Sequence, residues 1–275
     1  MSLEIYIPTF MREDKQKCWK ALPASIQKMV TLVTHSGRAE TLRQLNPEAK
    51  VIDLGVTDGI ADVRQKLLMR ATSDKVLIID DSCVFKKRNE ELKLREMSDS
   101  DYLDMFSMVE ELLDEYAMVG ISDQAGNNRV PEDYKEIGRS YSCYGVNRKT
   151  WDDHGISFDG MYKKNQEVKL YEDFYAILKM LTSGLKNVLI YKYAFSHAHG
   201  KPGGNSTIRT NALQKKCIEA LMKEFPGLVQ LVKKEDPSWN AGLADTENFR
   251  WECQISWQEA FKRSANTGSL DDFFG

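Results

Sequence analysis

The chain has 275 residues, 42% hydrophobic and 29% charged, with a formal net charge of −3. That length suits one large α/β domain or two small ones. An aromatic share of 10% excludes a disordered polymer, and no run of about 18 apolar residues marks a membrane span, so no membrane partner is expected. Basic residues occur only in local groups such as Lys86-Lys87-Arg88, Lys163-Lys164, Lys215-Lys216 and Lys233-Lys234. This is weak support for a nucleic-acid face. The five cysteines are scattered, with neither metal-ligand nor disulfide spacing, which fits a reducing cytoplasm. No signal peptide is read before the strand-like Ile5-Tyr6-Ile7.

In chain order, Leu3 to Ile7 reads as a strand stopped by Pro8, and residues 15–28 as a helix. Met29 to Thr34 is a second strand, Ala39 to Leu45 a short helix, and Lys50 to Val56 a third strand. After Asp58-Gly59, residues 60–71 carry apolar side chains at helical period. The run Lys75-Val76-Leu77-Ile78-Ile79 is a fourth, buried strand that ends in Asp80-Asp81-Ser82. This alternation predicts a parallel sheet with helices on both faces. Such sheets bind ligands at the carboxyl ends of their strands, and paired acids there commonly hold a hard cation.

The second half changes character. Tyr102 to Tyr116 forms an amphipathic helix, Ala117 to Ser122 a strand, residues 123–138 a polar loop and Tyr141 to Val146 another strand. A helix starting near Leu170 ends at Ser183-Gly184. Asn187 to Phe195 is a strand, followed by a glycine-rich loop, and Asn205 to Phe225 is helical, stopped by Pro226-Gly227. One domain is expected over residues 1–235, in two halves that meet at about residue 122. A C-terminal helical extension covers residues 236–275.

Five features fall in a telling order: the loop Ile7-Pro8-Thr9-Phe10-Met11-Arg12, then Arg64, Asp80-Asp81, Tyr171-Glu172-Asp173, and His197-Ala198-His199 leading into Gly203-Gly204. The ordering resembles the GT-A (Rossmann-like) nucleotide-sugar glycosyltransferases, over about three quarters of the chain. The resemblance implies a mostly parallel central sheet flanked by helices, a UDP-sugar donor and a divalent Mn2+ or Mg2+ ion. It implies Asp80 at the nucleotide ribose and Asp81 on the metal. His197 or His199 would be a further metal ligand, the two alternating on one side of an extended segment. It implies Asp173, next to Glu172, as the general base of an inverting transfer. Thr9, Arg12 and Arg64 would contact the donor, as would Gly203 and Gly204 at a helix start. Ser82 stands where many members place another acid.

The short core, the His-x-His segment and Gly203-Gly204-Asn205-Ser206 resemble phage glycosyltransferases of modified DNA bases. That implies transfer of glucose or arabinose to 5-hydroxymethylcytosine in double-stranded DNA. Lys163, Lys164, Lys201 and Arg209 are candidates for its phosphates, and Tyr141, Tyr144, Trp151, Tyr162 and Tyr171 for its base. Leu270, Phe273 and Phe274 resemble the anchors of a phage sliding-clamp docking peptide. Two alternatives stay open, a transferase of envelope polysaccharide, lipid or protein, and a non-catalytic module of the same fold.

Overall fold

The computed structural model describes residues 2–127, 130–196, 209–235 and 248–271, with side chains to Ser264. Strands β1 (Glu4–Pro8), β2 (Val30–Thr34), β3 (Lys50–Asp53) and β4 (Lys75–Ile79) lie parallel in the order β3-β2-β1-β4. In β4, Val76 and Ile78 enter the core on one face, and Leu77 and Ile79 the core on the other. A strand with helices on both sides needs apolar residues at every position, which is why this run lacks polar alternation. Helix Gly59–Arg70 covers the first face and helix Asp99–Leu112 the second.

The helix expected over residues 15–28 is two short ones, Lys17–Ala21 and Ala24–Gln27. Pro23 lacks an N–H and drives Leu22 into extended backbone (ψ 143°), which breaks the helix.

Further strands lie where none was expected: β5 (Val84–Arg88), β6 (Leu94–Arg95) and, within the polar loop 123–138, β8 (Tyr134–Glu136). Their charged sequences hid them. They belong to the edge of the sheet, where polar side chains are normal. Strands β7 (Met118–Asp123), β9 (Cys143–Asn147) and β10 (Asn187–Ser196) complete the order β4-β9-β7-β10-β5-β6, with β8 on β10. β7 and β10 run with β1 to β4, whereas β9 is antiparallel to both β4 and β7. The sheet is therefore mixed but predominantly of one direction, as expected.

The reversed β9 has a consequence for the site. Its first residue, Cys143, pairs with Ile79, the last of β4. Residues 139–142 thus arrive at the sheet edge where Asp80 leaves it, and the Asp80 N–H donates to the Ser142 carbonyl at 2.7 Å.

The C-terminal region is not purely helical. β11 (Val229–Lys234) and β12 (Arg250–Ile255) form an antiparallel pair that runs across position 235. Helix Trp257–Asp271 follows, and Trp257, Ala260 and Phe261 join the core beside helix Glu172–Thr182. The Trp257 ring meets Phe174 edge-on at 5.5 Å. No helix among the described residues is long and apolar enough to cross a membrane.

Candidate active site

The carboxyl end of β4 carries the two acids in unlike surroundings. Asp81 is buried; Thr9 Oγ1 donates to its Oδ2 at 3.1 Å and Arg12 Nη1 to its Oδ1 at 3.2 Å. Gln16, fully buried, ties the loop after β1 together through Thr9 Oγ1 (2.7 Å) and the Arg12 carbonyl (2.8 Å). Burial pushes the Asp81 carboxyl up, against the pull of Arg12. Asp80 keeps 35% of its side chain exposed and accepts from Arg64 Nη2 at 3.3 Å.

Arg64 is buried although it lies on an amphipathic helix. It falls three residues after Ala61 and three before Leu67, on the apolar face rather than the solvated one. Its guanidinium bridges Asp80 and Glu172 and sits over the rings of Tyr144 (5.3 Å) and Phe158 (5.9 Å). Two carboxylates and two ring faces keep the cation charged despite its burial. Glu172 is equally enclosed. Burial raises its carboxyl to about 7, with Arg64 opposing and Asp173 adding to the rise.

The helix that carries these acids begins at Tyr171, held in left-handed backbone (φ 67°), a costly conformation for a bulky residue. Its ring packs on Phe174 at 5.3 Å and its hydroxyl donates to Gln214 at 3.3 Å. Successive helical residues diverge by about 100°. Glu172 accordingly points into the core and Asp173 stays half-buried at the rim, its Oδ1 accepting from the Phe174 N–H at 2.9 Å. Arg139, just ahead of β9, lies over Tyr141 (4.4 Å) and Phe174 (4.7 Å).

The span holding both acid pairs and the arginines beside them matches a known family. Residues 3–204 fit the model of the TET-associated glycosyltransferases. This chain belongs to that family. It is a glycosyltransferase, and the α/β fold of GT-A type expected from the sequence agrees with its sheet.

The "Beta-glucosyl-HMC-alpha-glucosyl-transferase" of enterobacteria phage T6 is 23% identical over 239 residues, 82% of this chain and 81% of the phage protein. The phage T2 protein of the same name is 22% identical over 238 residues, with the same coverage. Among solved structures, M. tuberculosis glucosyl-3-phosphoglycerate synthase with Mn2+, UDP and phosphoglyceric acid aligns at TM-score 0.48 and 11% identity, over 92% of this chain and 86% of that one. S. aureus TarS residues 1–349 with UDP-GlcNAc aligns at TM-score 0.47 and 12% identity, over 81% and 67%. These structural likenesses are too loose to transfer a ligand or a residue role.

The transferase fold brings Thr9, Arg12, Arg64, Asp80, Asp81, Glu172 and Asp173 into one linked network. Other expected residues fare differently. Tyr144 and Trp151 are core residues, Trp151 Nε1 donating to the Ala117 carbonyl at 2.9 Å, so neither can stack on a base. Tyr162 donates to Asp58, and Lys163 and Lys164 pair with Asp159 and Glu224. Arg209 is exposed. His197, His199, Lys201, Gly203, Gly204, Phe273 and Phe274 lie outside the described residues, and Leu270 falls in the last helix where side chains are not described.

Arg139 and Gln16 were not anticipated. The signal for Arg139 was its alternation with Tyr141 on one side of an extended segment.

A divalent cation fits the oxygen donors at the β4 end. Asp80 offers a partly exposed carboxylate beside Arg64, and Asp81 a buried one beneath Thr9 and Arg12. Among the described residues no group of three or more His, Cys, Asp or Glu side chains is placed to hold a metal.

Proposed function

We propose that this glycosyltransferase moves a sugar from a UDP-sugar to 5-hydroxymethylcytosine in phage DNA, within the infected host cytoplasm. The observation that carries this is the match to phage hydroxymethylcytosine (HMC) glucosyltransferases over 82% of the chain, beside a family match whose span, residues 3–204, holds the acid network. Their name makes glucose the favoured donor sugar, ahead of arabinose. It also joins HMC to a glucosyl group, which favours a second acceptor, a glucose already attached to the base.

Asp81 would hold Mn2+ or Mg2+, with Asp80 facing the nucleotide ribose, and the cation would neutralise the leaving diphosphate as a Lewis acid. Arg12 swings from Asp81 toward that diphosphate, where a guanidinium binds in bidentate fashion. Asp173 takes the proton of the attacking hydroxyl, and the sugar carbon inverts in one displacement. Arg64 and Glu172 fix the distance between the donor end of β4 and the helix bearing the base. Thr9 orients Asp81. His197 or His199 supplies a further metal ligand, and Gly203-Gly204 backbone amides meet the phosphates.

The test is transfer from UDP-glucose or UDP-arabinose, with Mn2+ or Mg2+, to HMC-DNA and to glucosyl-HMC-DNA, followed by nucleoside mass spectrometry. A gain of one sugar on either DNA is expected. Transfer to a saccharide with no gain on either DNA overturns the proposal, and a product that retains the donor's anomeric configuration overturns the inverting step.

Leu270, Phe273 and Phe274 act as apolar anchors for a phage sliding clamp, which would raise the enzyme's effective concentration on DNA. Deleting residues 268–275 is expected to weaken clamp binding at least tenfold in surface plasmon resonance. Unchanged affinity removes the tether.

A further inference from the structure

We propose that Arg139 grips a backbone phosphate of the DNA acceptor and sets the acceptor hydroxyl against Asp173. This deepens, and rests on, the DNA-acceptor reading. Three observations point to it.

Arg139 is exposed, yet its guanidinium is held over two aromatic faces, Tyr141 at 4.4 Å and Phe174 at 4.7 Å. Both rings are themselves fixed. The Tyr141 hydroxyl donates to Asp123 Oδ2 at 2.8 Å and its ring meets Phe195 edge-on at 5.6 Å, while Phe174 is buried against Trp257. A cation restrained by stacking keeps its planar N–H fork available, the geometry that suits phosphate.

The second observation is the missing counter-charge. Arg12, Arg64, Arg88, Arg95 and Arg148 all pair with carboxylates. Arg139 forms no ion pair among the described residues. The acids of its neighbours have other donors: Asp123 accepts from Tyr141 and from the Ala125 N–H, and Asp173 accepts from the Phe174 N–H.

The third is position. Phe174, under the guanidinium, directly follows Asp173 in the first turn of helix Glu172–Thr182. A phosphate on Arg139 would therefore sit beside the group that takes the acceptor's proton.

The donor diphosphate is the other source of phosphate chemistry, and kinetics separate the two. For R139Q, KM for HMC-DNA is expected to rise about tenfold or more, the worth of a hydrogen bond to a charged group. The slope of log KM against log salt should shrink by about 0.9, one phosphate contact on duplex DNA. KM for the UDP-sugar should change less than twofold. R139K retains the charge and should retain the slope.

A role limited to stacking would lower the melting temperature of both variants and leave the salt slope at its wild-type value, which overturns the proposal. A rise confined to the UDP-sugar KM also overturns it and assigns Arg139 to the donor. Failure of the DNA-acceptor reading itself is distinct, because the wild-type enzyme would then show no transfer to DNA.

Discussion

Asp173→Asn is expected to lower kcat by about 10²–10⁴, the usual worth of a general base, while the Kd for UDP-sugar stays within twofold. Asn keeps the size of the side chain and an oxygen for the Phe174 N–H that Asp173 Oδ1 now accepts. What it loses is the ability to take a proton. Asp173 suits that work by position. It stands half-buried at the first turn of helix Glu172–Thr182, while Glu172 beside it is enclosed and tied to Arg64. The two adjacent acids therefore differ in setting, one half-buried at the rim and one locked into the framework. Rapid-quench turnover at saturating donor, with calorimetric binding of UDP-sugar, separates chemistry from binding. An undiminished kcat in D173N would remove Asp173 as the base.

Arg64→Met should cost about 3–5 kcal/mol of unfolding free energy at pH 8, the usual penalty for leaving a buried carboxylate unpaired. The loss should be smaller at pH 5. Burial raises Glu172 to about 7, well above the ordinary range of a glutamate, even with Arg64 lowering it. A raised carboxyl means that the folded protein holds a proton the unfolded chain has released. Stability therefore falls as pH rises from about 4.5 toward 7 in the wild type. Without Arg64 the carboxyl rises further and the falling limb extends to higher pH. At pH 5 the acid is protonated and misses its partner less. R64M/E172Q should regain part of the loss at pH 8, because the uncompensated charge is gone. Urea unfolding of wild type and both variants at pH 5 and pH 8 checks each step. An R64M protein as stable as wild type at pH 8 would show that Arg64 does not hold Glu172.

Several parts of this site were legible in the chain itself. Lys75–Ile79 is apolar at each of its last four positions because both faces of β4 are covered, and that pattern places Asp80-Asp81 at a strand's carboxyl end. Glu172-Asp173 reads as a helix start because an apolar helical period follows it and Gly184 closes it. The polar edge strands β5, β6 and β8 and the pairing of β11 with β12 escaped notice, since a short charged strand has no apolar alternation to betray it.

Sequence alone thus determined which elements carry the acids and which end of the sheet they share. Tertiary structure decided what surrounds each acid. Periodicity reports which side of its own element a residue occupies and says nothing of what meets it there. Arg64 and Glu172 are 108 residues apart in the chain and become partners only when two helices pack on the same face of the sheet. Asp80 and Asp81 are neighbours in sequence, yet one is paired with Arg64 and partly exposed while the other is sealed under Thr9 and Arg12. Arg139 reaches that edge because β9 enters the sheet against its neighbours, a reversal fixed by packing and chain connection rather than by any local pattern.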